Sequence, residues 1–207
     1  MKHRLNFKSM ARSFTLVLLV SFMVALFNNC SPQREVRRID TDQQVDLSGR
    51  WNATDSRMVA KDLMDQVLNG RWLNDYKQNH NGARPILIVG LVRNKSHEHI
   101  NAETFIKDIE QAIIREGSAR LVQAGSKRDA LRTERADQQD FASSETAKEW
   151  GQELGADFML HGTINSIVDS YRNEKVVYYQ VNLELSNLET NEIVWIGDKR
   201  IKKFITN

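Results

Sequence analysis

Val176 to Leu185 reads VVYYQVNLEL, and its alternation decides the fold. Val177, Tyr179, Val181, Leu183 and Leu185 fall on one side of an extended chain, and Val176, Tyr178, Gln180, Asn182 and Glu184 on the other. Successive side chains of a strand point to opposite faces, so this register predicts a strand with one buried and one wetter face. Upstream, Asp157–Val168 reads as a second strand, joined to the first across a polar turn at Asp169–Glu174. Downstream, Glu189–Asn191 turns the chain into a short strand at Ile193–Ile196.

Further outward the period changes. Pro85–Val92 (PILIVGLV) is a continuous apolar run of strand length, expected to be buried on both faces. A short strand is expected at Arg120–Val122. Asp55 is placed to cap a helix with Val59, Leu63, Val67 and Leu68 on one face and Gly70 past its end. Asn101 caps a second helix carrying Phe105, Ile109, Ile113 and Ile114, closed by Gly117. Lys127–Gln139 is charged and reads as a surface helix or an irregular segment. Ser144–Leu154 reads as a helix with Trp150 and Leu154 inward, stopped at Gly155. This order predicts an α+β domain: a mixed, mainly antiparallel sheet of four to five strands flanked by about four helices. Trp150 and Trp195 are expected to be largely buried.

The first thirty residues have another character. Lys2, Arg4, Lys8 and Arg12 precede the apolar run Phe14–Phe27 (FTLVLLVSFMVALF) with no acidic residue among them. That run is shorter than the ~20 apolar residues that cross a bilayer, and its flanks are those of a secretory signal peptide. Cys30 follows and is the one cysteine in 207 residues, so no intramolecular disulfide can form. Its position resembles a lipobox, although Phe27, Asn28 and Asn29 stand where the usual pattern has an aliphatic residue and then small ones. Acyl chains on Cys30 would form a lipid anchor, several chains holding far more firmly than one. Ser31, in place of the aspartate that often retains lipoproteins at the inner membrane, favours the outer membrane. The polar stretch from Ser31 to Asp46 has no usable period and reads as a tether. The expected organisation is a lipoprotein signal peptide over 1–29, a lipidated cysteine and flexible tether over 30–46, and one globular domain over 47–207.

Charge and motifs exclude several classes. The chain holds 29 basic and 27 acidic residues; removing the four basic residues ahead of Cys30 leaves a net charge of −2. The remaining charges alternate in sign, without the basic stripe of a nucleic-acid binder. The sequence carries no phosphate loop, HExxH, GxSxG or SxxK motif, so no catalytic residue is assigned. His97-Glu98-His99 is the one cluster suggestive of a metal, but structural zinc wants four ligands, and two histidines in a polar loop read as solvated. No metal is expected, and no cofactor beyond the lipid on Cys30.

Three stretches carry a family resemblance: LVRNKSHEHINAETFIKDIEQAI (Leu91–Ile113), GADFMLHGTI (Gly155–Ile164) and LETNEIVWIGDK (Leu188–Lys199). They resemble the LpoB family, outer-membrane lipoprotein activators of a class A penicillin-binding protein. Related layouts occur in the TolB N-terminal domain and in CsgG. DLSGRWNATDSRMVAKDLMDQVL, ahead of these stretches, is similar to one branch of the same family. The likeness extends from about Asp46 to the end.

It implies a non-enzymatic protein that faces the periplasm, binds the bifunctional synthase and regulates peptidoglycan biosynthesis in the cell wall. The chemistry would sit in the partner. Best-known members have a long, Pro-rich tether, whereas here about 17 residues separate Cys30 from the domain. Fully stretched, these span roughly 60 Å. The alternative is a lipoprotein of envelope assembly or secretion, CsgG-like or TolB-like. No segment after Cys30, however, shows the alternating lipid-facing pattern of CsgG hairpins. A hydrolase or ligand-binding lipoprotein would need a polar constellation that the sequence does not display. Candidate partner-binding residues are Asn94, Lys95, Ser96 and His97, in a polar loop between a strand and a helix. Tyr171 and Arg172, in the later turn, are of residue types enriched at interface hot spots.

Overall fold

The computed structural model describes residues 35–40, 43–141, 143 and 153–206. The chain divides into two units, Met1–Thr41 and Asp42–Asn207, and the second holds all the described regular structure.

Helix α1 (Ala53–Leu68) starts from Asn52, not from Asp55. The Asn52 side chain accepts from the backbone N–H of Thr54 at 2.9 Å and of Asp55 at 3.2 Å, while the Asp55 carboxylate accepts from the N–H of Asn52 at 2.9 Å. This reciprocal capping box makes Asp55 the third helical residue. Val59, Leu63 and Val67 are buried as expected. A short helix, α2 (Arg71–Asn79), follows at once and has no counterpart in the sequence reading, because RWLNDYKQN offers only Trp72 and Leu73 to the core. Trp72 Nε1 donates to the Val67 carbonyl at 2.6 Å, a second donor there beside the Gly70 N–H at 3.1 Å.

Strand β1 (Ile86–Lys95) does not have two buried faces. Leu87, Val89 and Val92 point into the core, and Leu91 is 70% exposed. An extra residue between Val89 and Val92 makes a β-bulge against the neighbouring strand. The bulge reverses the phase: odd residues face inward before it and even residues after it. Helix α3 (Ala102–Glu116) matches expectation in its Asn101 cap, its left-handed Gly117 at φ +72° and its buried Phe105, Ile109 and Ile113. Ile114 is exposed. Strand β2 (Arg120–Val122) is followed by α4 (Gly125–Phe141), a surface helix without a buried residue. Residues 144–152, including Trp150, lie outside the described residues. Leu154 belongs to no helix and is exposed, so its inward assignment does not hold.

Strands β3 (Phe158–Tyr171), β4 (Glu174–Asn187) and β5 (Ile193–Thr206) form an antiparallel meander. The sheet order is β2-β1-β3-β4-β5, with β1 parallel to both of its neighbours. The polar turn expected over 169–174 contracts to Arg172 and Asn173, with Arg172 at φ +52°. The last strand runs on to Thr206, well past Ile196, because it stays in register with β4 despite its run of charges. Gly162 allows β3 to approach β4 closely; a Cβ there would collide with the Asn182 carbonyl.

Val177, Tyr179, Val181, Leu183 and Leu185 are all fully buried, and α1 and α3 pack with this face of the sheet. Trp195 is partly buried and packs against the margin of that core. On the opposite face Tyr178, Gln180, Asn182 and Glu184 are half-exposed, and Ile167, Ile196 and Phe204 are exposed. Asp157 locks the junction of β1 and β3. Its carboxylate accepts from the Ile86 N–H at 2.7 Å and from the Tyr76 hydroxyl at 2.8 Å. Burial, reinforced by Asp157, pushes the Tyr76 hydroxyl up to about 12.

Candidate functional site

The bulge in β1 sets the geometry of the loop that follows. Counted from Leu87 and Val89, residue 95 would face the core. With the phase reversed, Asn94 turns inward and Lys95 outward. Asn94 then organises the turn. Its Nδ2 donates to the carbonyls of Glu98 at 2.7 Å and Ile100 at 3.4 Å, and its Oδ1 accepts from the Ser96 N–H at 2.9 Å. The Ser96 hydroxyl lies 2.7 Å from Asn94 Oδ1 and accepts from the Glu98 N–H at 3.2 Å. The His97 N–H donates to Ser166 Oγ at 3.0 Å, and its Nδ1 lies 2.7 Å from the same oxygen.

Glu98 is not a solvated loop carboxylate. Its side chain is 12% exposed, its Oε1 accepts from the Tyr179 hydroxyl at 2.7 Å, and its Oε2 accepts from the Trp51 N–H at 3.0 Å. Trp51 packs edge-on to Tyr179 with ring centroids 5.5 Å apart. One carboxylate thus joins the loop, the central strand and the segment ahead of α1. Burial, then the Glu98 carboxylate, drives the Tyr179 hydroxyl far above its ordinary range. Among the described residues no group of three His, Cys, Asp or Glu could hold a metal ion.

The structure therefore divides the six candidate contact residues. Asn94, Ser96 and His97 form one internally bonded loop. Lys95 is exposed beside it, opposite Asn165 of β3. Tyr171 and Arg172 lie at the tip of the β3–β4 hairpin, six residues past Asn165 and roughly 20 Å further along the strand. There the Arg172 guanidinium sits 5.1 Å from the Tyr171 ring centroid.

Lys95 borders a shallow depression of about 450 Å³ on the uncovered sheet face, with Leu91, Arg93, His161, Thr163 and Glu184 around it. A polar ladder continues from there: Gln180 Nε2 donates to Asn182 Oδ1 at 3.0 Å, and Asn165 Nδ2 donates to Thr163 Oγ1 at 2.9 Å. On the far side a larger groove of about 870 Å³ runs between α1 and α3, with Met58, Met64 and Leu68 against Arg57 and Asp108. Burial raises the Asp108 carboxyl, and Arg57 opposes that rise. The sequence signal for the depression was the wetter half of the β4 alternation; the groove left no local signal.

A second anchor ties the start of the domain to its last strand. Lys203 Nζ donates to Asp46 Oδ1 and Asp55 Oδ2, each at 2.6 Å, and to the Arg50 carbonyl at 3.0 Å. Its side chain is 9% exposed and that of Asp55 5%. Burial pulls the Lys203 ammonium down, yet its hydrogen bonds to Asp46 and Asp55, with the attraction of their charges, outweigh it and leave it raised. Residues 46–51 are thereby strapped across the end of β5.

Among the described residues the sheet is backed by helices on one side and left uncovered on the other, where polar side chains are interspersed with exposed Leu91, Ile167 and Ile196. The family model described as "Peptidoglycan-synthase activator LpoB" matches residues 55–201, and the chain belongs to the LpoB family. Among solved structures, the LpoB C-terminal domains from Salmonella enterica and Escherichia coli each share 18% identity with it. Each covers 72% of this chain and 99% of its own, with a TM-score of 0.41. The NMR structure of E. coli LpoB shares 15% identity, covering 85% of this chain and 89% of its own, with a TM-score of 0.40. No curated protein matches the chain at a significant level.

Proposed function

We propose that this chain is an outer-membrane lipoprotein that binds a class A penicillin-binding protein from the periplasmic side and activates its peptidoglycan synthesis. The observation that carries the reading is the family match across residues 55–201, nearly the whole domain. In this reading residues 1–29 are the signal peptide, Cys30 carries the lipid, residues 30–46 are the tether and residues 47–207 are the domain. The protein does no chemistry of its own and needs neither metal nor nucleic acid. It acts by contact, and the uncovered sheet face around Lys95 makes that contact. Asn94, Ser96 and His97 hold the loop that aims Lys95 outward.

The direct test is a glycan-polymerisation and crosslinking assay with a purified class A synthase from the same cell envelope, with and without this protein. Saturable stimulation at a fixed stoichiometry supports the reading; unchanged synthase rates at saturating protein overturn it. The anchor is tested separately. Cys30→Ala leaves the fold intact, since in this reading residue 30 belongs to the tether and not to the domain, and the protein leaves the membrane fraction or remains unprocessed. A correctly processed variant still found in the membrane fraction would remove the lipid from the account.

A further inference from the structure

The end of the sheet where the tether joins the domain mixes exposed apolar side chains with basic ones, whereas Leu188, Ile193 and Ile196, exposed at the opposite end, stand beside Glu189 and Glu192. Lys203 of β5 holds Asp46 and lies opposite Val177, while Glu174 pairs with Thr206. The first residues of the domain, the end of β5 and the β3–β4 turn therefore meet at one end. There the apolar side chains are outside. Ile167, Tyr171 and Phe204 are exposed on the uncovered face, Val168 is exposed on the other face, and Leu47 of the strap is 94% exposed. Arg172, Lys175 and Lys202 stand among them, against Asp169 and Glu174.

A flat protein partner covers one face of a β-ribbon. Apolar groups on both faces and on the strap, with cations between them, are instead the composition that settles into the headgroup boundary of a bilayer. The tether points the same way. Sixteen chain steps separate Cys30 from Asp46. They span at most about 58 Å when taut, and about 22 Å as a relaxed coil. The tether-bearing end is thus the part of the domain held nearest to any membrane that holds Cys30.

We propose that this end, centred on Tyr171, Phe204 and Leu47, is a second membrane contact that rests on the anionic lipid surface anchoring Cys30. The inference rests on the lipoprotein reading above. It stands the strands upright on the bilayer, with the face around Lys95 turned sideways and clear of the lipid. The remainder of the sheet then points away from the membrane.

The test uses the mature lipoprotein in vesicles of phosphatidylethanolamine and phosphatidylglycerol. Acylation blocks the thiol of Cys30, so Asn173→Cys at the hairpin tip and Glu189→Cys in the opposite turn each accept a single environment-sensitive fluorophore. The expected result is a blue-shifted emission at position 173, mostly lost when the acyl chains are brominated, and neither change at position 189. Phe204→Ser combined with Ile167→Ser should abolish the quenching at 173 while leaving the protein on the vesicles. Protein that floats with the vesicles but shows no quenching at 173 overturns this contact and leaves the lipoprotein reading standing. Protein that does not float removes both. A label at 173 that stays aqueous on vesicles and becomes shielded only when synthase is added assigns the tip to a protein partner, and overturns the proposal as well.

Discussion

Tyr179 shows how much of this protein depends on single side chains. The alternation in VVYYQVNLEL places it inward, and it is fully buried. Its hydroxyl partner, Glu98, is 81 residues away in sequence and sits in a segment that reads as solvated. Nothing local announces that pairing, because the carboxylate is drawn under by contacts to Tyr179 and Trp51 that exist only in the folded chain. Tyr179→Phe removes the donor and leaves Glu98 Oε1 only the longer contact to His97 Nε2 at 3.3 Å, so it should cost about 1–3 kcal/mol in urea denaturation. The pH response has a definite sign. The Tyr179 hydroxyl is raised above its ordinary 10.0, so the native state favours the neutral phenol. That contribution is complete below pH 10 and is lost as pH rises further. The alkaline loss of stability should therefore be shallower in Tyr179→Phe than in the parent, as read by urea titrations above pH 10. Lys203 and Tyr76, also raised, remain in both proteins and contribute equally to the slope.

At the level of elements, the central strand and α3 were legible because each carries an unbroken period: two for the strand, and between three and four for the helix. The parts that differ do so for identifiable reasons. Asn52 and Asp55 are both capping residue types three apart, and the box they form uses both, so the true start lies one turn earlier than the carboxylate suggests. The apolar run of β1 hid a bulge, which changes phase without changing composition. Strand β5 continues through GDKRIKK because β4 supplies hydrogen bonds along its whole length and α1 supplies counter-charges, Asp62 to Lys199 and Asp55 to Lys203. The second of these is the more consequential. Lys203→Met removes the cation from between Asp46 and Asp55 while keeping the aliphatic stem, stranding a buried carboxylate. The expected loss is about 3–5 kcal/mol, read by thermal or urea unfolding. Residues 46–51 should also become cleavable by protease under native conditions. Acid should imitate part of this effect: hydrogen bonding to Lys203 holds Asp46 below its ordinary 3.8, so its contribution is complete above that pH and is lost as pH falls through the lowered value.

Among the described residues, the unit from Asp42 onward is a sheet with a helical back and an open front. The family and the fold class were readable because the resemblance and the periodicity agree over the same residues. The candidate surface was readable only in part. Six residues chosen for exposure and type prove to occupy three different situations, since neither the bulge nor the length of the hairpin can be counted from local pattern. Lys95 is the residue of the 94–97 loop that is exposed on the open front without a hydrogen-bonding duty in that loop. Lys95→Glu should leave stability within about 0.5 kcal/mol of the parent and reduce stimulation of the synthase below saturation. Full stimulation by that variant would move the contact along the front, toward Gln180 and Asn182.

The order of strands along the chain has a kinetic side. The core strand and both of its antiparallel partners occupy roughly the last fifty residues, and β1 can enter the sheet only beside β3, its parallel neighbour more than sixty residues later. Everything from α1 to α4 therefore leaves the ribosome ahead of the central strands, with only α1, α3, β1 and β2 to pack against one another. Pairings this distant close late, because the chain entropy of a long loop must be overcome before the contact forms. A chain ended before Ile193 should accordingly show no cooperative unfolding transition by circular dichroism. In the proposed lipoprotein reading the chain crosses a membrane as an extended thread, and the delay would keep it threadable until synthesis is nearly finished, the meander folding as the final piece to arrive.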